Sequence, residues 1–151
     1  MKIRRLERAY YEDCYLMLQE FSRSIEVGTF SKEQSDRNQV FQVLIRCEYT
    51  GASFVSEDRG RITGMILSMI TPELWFPKQY RLVELAWWVK PAYRSSTAAA
   101  RLFHSYRNLA DEFRQQGRIH AYTMSRMHNS PKLDYERRGF RRVEETYLMG
   151  E

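Results

Sequence analysis

The 151 residues contain only two cysteines, Cys14 and Cys47. No CxxC and no HxxxH lies near them, which argues against a metal site. The thiols fit a reducing compartment rather than a disulfide framework. No run of apolar residues approaches the 18 or so that a membrane-spanning helix requires. The opening residues, Met1-Lys2-Ile3-Arg4-Arg5-Leu6-Glu7, lack the apolar core of a secretory signal, so a cytoplasmic protein is expected. There are no repeats, linkers or low-complexity tracts.

What is present suits a single domain over residues 1–151. Hydrophobic residues make up 43% of the chain and aromatics 14%, enough for a core and too much for disorder. The formal net charge is +5, from 24 basic and 19 acidic residues. An excess of that size is compatible with an anionic ligand or a polyanion, but it speaks to solubility first.

The most informative stretch is Glu84 to Phe103, ELAWWVKPAYRSSTAAARLF. Glu84-Leu85-Ala86-Trp87-Trp88-Val89 predicts a strand. Pro91 ends it, because proline has no N–H for the ladder. Ala98, Leu102, Phe103, Tyr106, Leu109, Ala110 and Phe113 then recur on one face of a helix. The hydroxyl residues between strand and helix suit an N-cap, and the free N–H groups of such an end attract anions.

Elsewhere, Lys2 to Glu7 reads as a strand. Tyr11 to Phe21 reads as a helix with Tyr11, Tyr15, Leu18 and Phe21 on one stripe. Ser31-Lys32-Glu33-Gln34 has the form of a capping box opening a helix to about Cys47. Ala52–Glu57 and Ile62–Ile70 read as a hairpin about Asp58-Arg59-Gly60-Arg61. Glu73 to Tyr80 is a loop carrying Trp75 and Phe76, and exposed loop aromatics often contact a ligand or partner. The long helix ends near Gly117, and Arg118–Met124 reads as a strand. Ser130-Pro131 opens a short helix to Arg138, and Phe140–Met149 reads as a last strand. The order β-α-α-β-β-β-α-β-α-β describes an α/β chain with a mixed sheet.

Arg94-Ser95-Ser96-Thr97-Ala98-Ala99 resembles motif A of the GNAT superfamily of acyl-CoA N-acyltransferases, Gln/Arg-x-x-Gly-x-Gly/Ala, with Thr97 where the family prefers glycine. Leu133-Asp134-Tyr135-Glu136-Arg137-Arg138-Gly139-Phe140 resembles the family's Y-x-x-x-G-F element. The order of elements is similar across essentially the whole chain, and ELAWWV and YERRGF look like small phage and bacterial members. The resemblance implies a mixed, mostly antiparallel sheet of six to seven strands flanked by about four helices. It implies an acetyltransferase that moves an acetyl group from acetyl-CoA to an amine by direct attack.

The resemblance also assigns residues. Backbone N–H groups from about Ser96 to Ala99 would hold the CoA diphosphate, with Arg94 adding charge. Ala98 and Ala99 are small enough for close approach. The alternative is an ordinary capped helix. The free backbone of Trp87, Trp88 and Val89 would pair with the pantetheine. Core packing suits the Trp87 side chain, while Trp88, counted on the same strand face as Glu84 and Ala86, would border the acceptor.

Glu84 is the candidate general base, its pKa raised by desolvation; a structural ion pair with an arginine is the competing reading. Tyr135 is the candidate general acid for the departing thiolate, against a partly buried tyrosine beside Phe140. Asn129 matches a cofactor-bonding position, or merely caps the next helix. Of His104, His120 and His128, only His128 falls near the expected site.

The acceptor is a small-molecule or protein amine that the sequence does not identify. Dimers are common in the family, so a homodimer stays open. Two other readings also remain. One is a non-catalytic acyl-CoA-binding module, suggested by Thr97. The other is an enzyme acting on a nucleic-acid-linked amine such as aminoacyl-tRNA, which the basic balance permits.

Overall fold

The structure is a computed structural model, and it describes residues 1–25, 36–128 and 130–150. Five strands form one sheet in sequence order: β1 (Lys2–Arg5), β2 (Phe54–Asp58), β3 (Arg61–Pro72), β4 (Tyr80–Val89) and β5 (Ala121–Thr123). The first four run antiparallel to their neighbours, and β5 lies parallel to β4. Three α-helices cover the sheet: α1 (Tyr11–Ser24), α2 (Arg37–Thr50) and α3 (Ala98–Gln115). None of them is long and apolar enough to cross a membrane.

Alternation along β3 sorts its side chains between two cores. Met65, Leu67 and Met69 face Cys14, Met17, Leu44 and Cys47 of α1 and α2. Ile66 and Ile70 face Leu102, Tyr106 and Ala110 of α3. With helices on both sides, β3 is buried from Ile62 to Met69, which explains its nearly unbroken apolar text. The β2–β3 hairpin turns on two residues, Arg59 (φ 50°) and Gly60 (φ 79°). Positive φ at both is the geometry that follows the strand twist.

Several expectations need correction. The sheet has five strands rather than six or seven, and three α-helices rather than four are found among the described residues. The expected last strand, Phe140–Met149, forms none. Charged residues fall on both alternating faces of that stretch, Arg141 and Glu145 on one and Arg142 and Glu144 on the other, so neither face is continuously apolar. The expected helix from Ser130 is a single 3-10 turn, Glu136–Arg138, ended by Gly139 at φ 91°. The strand expected over Arg118–Met124 shrinks to three residues. Helix α2 runs past Cys47 to Thr50, capped at its start by the Asp36 carboxylate, which accepts from the N–H groups of Asn38 and Gln39. The capping box Ser31–Gln34 lies outside the described residues.

Gly51, after α2, is fixed by space. A Cβ there would stand 1.8 Å from the carbonyl oxygen of Ser68 and 2.9 Å from that of Cys47. Both obstacles are backbone, so no rotamer change relieves them. Gly51→Ala should therefore lower the unfolding free energy by about 3 kcal/mol or more. Gly60→Ala, with open space but positive φ, should cost about 1 kcal/mol. Urea denaturation of both variants checks the ranking.

Candidate active site

Strands β4 and β5 pair at only three positions, Arg81↔Ala121, Leu82↔Tyr122 and Val83↔Thr123. Beyond Val83 the ladder stops, while β4 continues to Val89 against β3 alone. From Glu84 onward, the edge of β4 that faces β5 has no strand partner. An extended ligand could add there by backbone hydrogen bonding.

Glu84 sits at the fork. It is 6% exposed, and its carboxylate accepts a hydrogen bond from the Ser125 N–H at 3.1 Å. Among the described residues no arginine or lysine bridges to it, so the ion-pair reading finds no partner there. Burial pushes its pKa up to about 7, with the Ser125 amide opposing the rise.

The register slips beside it. Leu67 pairs with Ala86 and Ser68 with Glu84, so Leu85 is an extra residue in β4. This bulge reverses the alternation beyond it. Glu84 shares the α3 face with Leu82, Trp87 and Val89, whereas Ala86 and Trp88 turn to the α1–α2 face. The expectation that Trp88 shares a face with Glu84 is therefore corrected. Trp87 stacks on Phe103 at 5.4 Å, as core packing requires. The Trp88 ring meets Phe21, and its indole N–H donates to Glu20 at 3.2 Å.

The turn into α3 is built differently from the expected cradle. The Arg94 Nε donates to the Val89 carbonyl at 2.9 Å, and its guanidinium lies 4.4 Å from the Trp88 ring centroid. It thus closes off the end of β4 and occupies one of the backbone acceptors assigned to pantetheine. The Ser96 hydroxyl accepts from the Ala98 N–H, while Ser95 and Thr97 are exposed. Thr97 is the N-cap residue at φ −81°, and its side chain makes no capping bond. A threonine adopts that backbone without strain, so its departure from glycine concerns space and not conformation. Ala98 is buried, Ala99 half-buried and Ala100 exposed. The Ala99 and Ala100 N–H groups make no hydrogen bond among the described residues, and they carry the positive end of the α3 dipole.

Tyr135 comes to the same side of the sheet. Its ring lies edge-on to Phe103 at 6.2 Å and to Phe140 at 5.8 Å. Its hydroxyl makes no hydrogen bond among the described residues. Burial first, and the nearby Glu84 charge second, push its pKa up to about 12. Asn129 lies outside the described residues. His128 is exposed; His120 bonds Glu73 at 2.6 Å, at the far end of β4. Sequence reasoning missed Ser125, which acts through its backbone, and Tyr106, whose helical spacing marks only a core position.

Solved structures of the same shape fix the architecture. A GCN5-related N-acetyltransferase from Ralstonia eutropha JMP134 superposes at TM-score 0.70 with 20% identity, over 98% of this chain and 97% of its own. The chain has the GNAT fold. A ribosomal-protein-alanine N-acetyltransferase from Brucella melitensis biovar Abortus 2308 matches at TM-score 0.63 and 12% identity, covering 99% of each chain. An aminoglycoside acetyltransferase from an uncultured soil metagenomic sample matches at TM-score 0.63 and 14% identity, over 99% of this chain and 93% of that one. No protein-family model and no curated protein matches the sequence.

Glu84 should also tie stability to pH. Its folded pKa of about 7 exceeds the ordinary 4.5, so the folded state holds a proton that the unfolded state releases in between. Its contribution is fullest below about pH 4.5 and is lost as pH rises through about 7, roughly 3 kcal/mol in all. Glu84→Gln should be close to neutral at pH 5 and stabilising by about 2–3 kcal/mol at pH 8. Denaturant curves at the two pH values check this.

Proposed function

We propose that this protein is an N-acetyltransferase that moves an acetyl group from acetyl-CoA to an amine. The observation that carries this reading is the buried Glu84 carboxylate at the fork, with no cation on it among the described residues, beside the bare β4 edge and close enough to Tyr135 for its charge to act on that phenol. The residues fit the co-substrate: the Ala99 and Ala100 amides could receive the diphosphate, and the edge from Glu84 to Trp88 the pantetheine.

The amine nitrogen attacks the thioester carbonyl carbon, the C–S bond breaks, and the acetyl group ends on nitrogen. Glu84 takes the ammonium proton, directly or through a water, and a pKa of about 7 suits that task near neutral pH. Tyr135 would stand by the departing sulfur. A phenol near 12 is a weaker acid than a thiol near about 8.5. Its role is therefore hydrogen-bond donation to the thiolate as charge develops, with the proton itself coming finally from solvent. Two buried free thiols suit a reducing cytoplasm.

The acceptor class is wider than any one neighbour. The structural neighbours' names include an aminoglycoside and a ribosomal-protein alanine, so primary amines on sugars and on peptide N-termini are the first panel, with aminoacyl-tRNA as the third. Calorimetric titration with acetyl-CoA, followed by release of free CoA thiol against this panel, tests the reading. Amine-dependent thiol release is expected. Tight binding with no release from any amine would favour a non-catalytic module.

Tyr135→Phe should lower kcat at least tenfold while leaving acetyl-CoA affinity within about twofold. Unchanged kcat would remove Tyr135 from the mechanism.

A further inference from the structure

Tyr106 is wholly buried in the middle of α3, yet its hydroxyl is not idle. It donates to the Thr123 carbonyl at 2.7 Å. Thr123 is the last residue of β5, where the ladder to β4 ends. Two residues on, the Ser125 N–H points back across the opening to the Glu84 carboxylate at 3.1 Å. Past Thr123 no ladder bond fixes the chain, and Ser125 itself is exposed. The hydroxyl of Tyr106 is thus the last buried anchor before the amide that touches Glu84.

We propose that Tyr106 is a positioning residue: by holding the end of β5 through Thr123, it aims the Ser125 amide at Glu84 and so sets the pH at which Glu84 takes up a proton. The ring cannot easily wander. It packs edge-on against Tyr122 at 5.8 Å and belongs to the core beneath α3. The groups that face Glu84 are few. Tyr106 comes from α3, the Ser125 amide from beyond β5, and Tyr135 from the C-terminal segment, with Arg126 and Arg138 acting on Tyr135. Ser68, across β3, carries no charge. Both tyrosines stay neutral at working pH, since burial raises each. Among the described residues the amide is therefore the one polar contact that favours the ionised carboxylate.

This inference shares Glu84 with the proposed acetyl transfer, but its test needs no activity. Side-chain 13C-carboxyl NMR, with the Glu84 signal assigned by its absence in Glu84→Gln, follows the titration directly. Tyr106→Phe removes one oxygen and keeps the ring. It should move the Glu84 midpoint upward by roughly half a pH unit or more. Ser125→Pro removes the amide donor and leaves Tyr106 in place; it too should raise the midpoint. In the Ser125→Pro background, Tyr106→Phe should add little. A Tyr106→Phe midpoint equal to or below the parent's would overturn the proposal. So would a shift of equal size in both backgrounds, since Tyr106 would then act by another route. If the protein is the proposed enzyme, the acid limb of kcat/KM moves with the same midpoint. A carboxyl shift in a protein that transfers no acetyl group would uphold the positioning role and sink the function alone.

Discussion

The structure depends on where one parallel strand pair stops. Three residue pairs join β4 to β5, and then the chain beyond Thr123 leaves the sheet while β4 continues. A parallel pair at the edge of an α/β sheet would ordinarily run the length of its longer strand, because unpaired backbone beneath a helix is costly. Here the cost is limited in three ways. The Ser125 amide turns inward to a carboxylate, the Arg94 side chain takes the Val89 carbonyl, and the remaining edge opens toward solvent. The same parting that weakens the sheet creates the place where, among the described residues, a carboxylate is buried without a cation.

The Leu85 bulge determines what surrounds that carboxylate. Without it, Glu84, Ala86 and Trp88 would share a face and the indole would crowd the base. With it, Glu84 looks toward α3, and Trp88 looks toward α1, where Phe21 and Glu20 receive it. Arg94 then lies over the same indole, so the turn that opens α3 is tied through one ring to the far helix layer. Whatever settles on that turn acts on a residue already in contact with α1. The two faces of the sheet communicate at the strand end and not through its middle.

Much of this was legible in the residues. The amphipathic spacing from Ala98 to Phe113 announced α3 because a one-sided helix against a sheet must repeat every three to four residues. Glu84 stood out because a carboxylate inside an apolar strand text demands a reason. The bulge was not legible, since nothing in ELAWW distinguishes a regular pleat from one with an extra residue. Ser125 acts through a backbone N–H, which every residue but proline carries, and therefore leaves no mark in the side-chain pattern. Arg94 was seen as a free charge because the sequence shows the cation and not the carbonyl and indole already facing it. The C-terminal segment misled for another reason: its glycine and apolar residues are present, but charged residues interrupt both faces of the expected strand.

That last failure bears on how Tyr135 is held. Its carbonyl accepts from the Arg138 and Phe140 N–H groups of a short 3-10 turn. Its side chain is held by a run of ring contacts, from Trp87 to Phe103, from Phe103 to Phe140 and Tyr135, and from Phe140 to Tyr122. The Arg107 and Arg138 guanidinium groups lie over the Phe103 ring. Each such contact is worth on the order of 1 kcal/mol, and Phe103 takes part in several, so their loss is not independent. Side-chain packing of this kind can loosen without unfolding the sheet, because it shares no backbone hydrogen bonds with it. The carboxylate therefore sits on a strand held against β3 along its length, and the phenol beside a single 3-10 turn. Of the two, the phenol is held by fewer backbone hydrogen bonds to the sheet and is the freer to shift when a ligand enters between them.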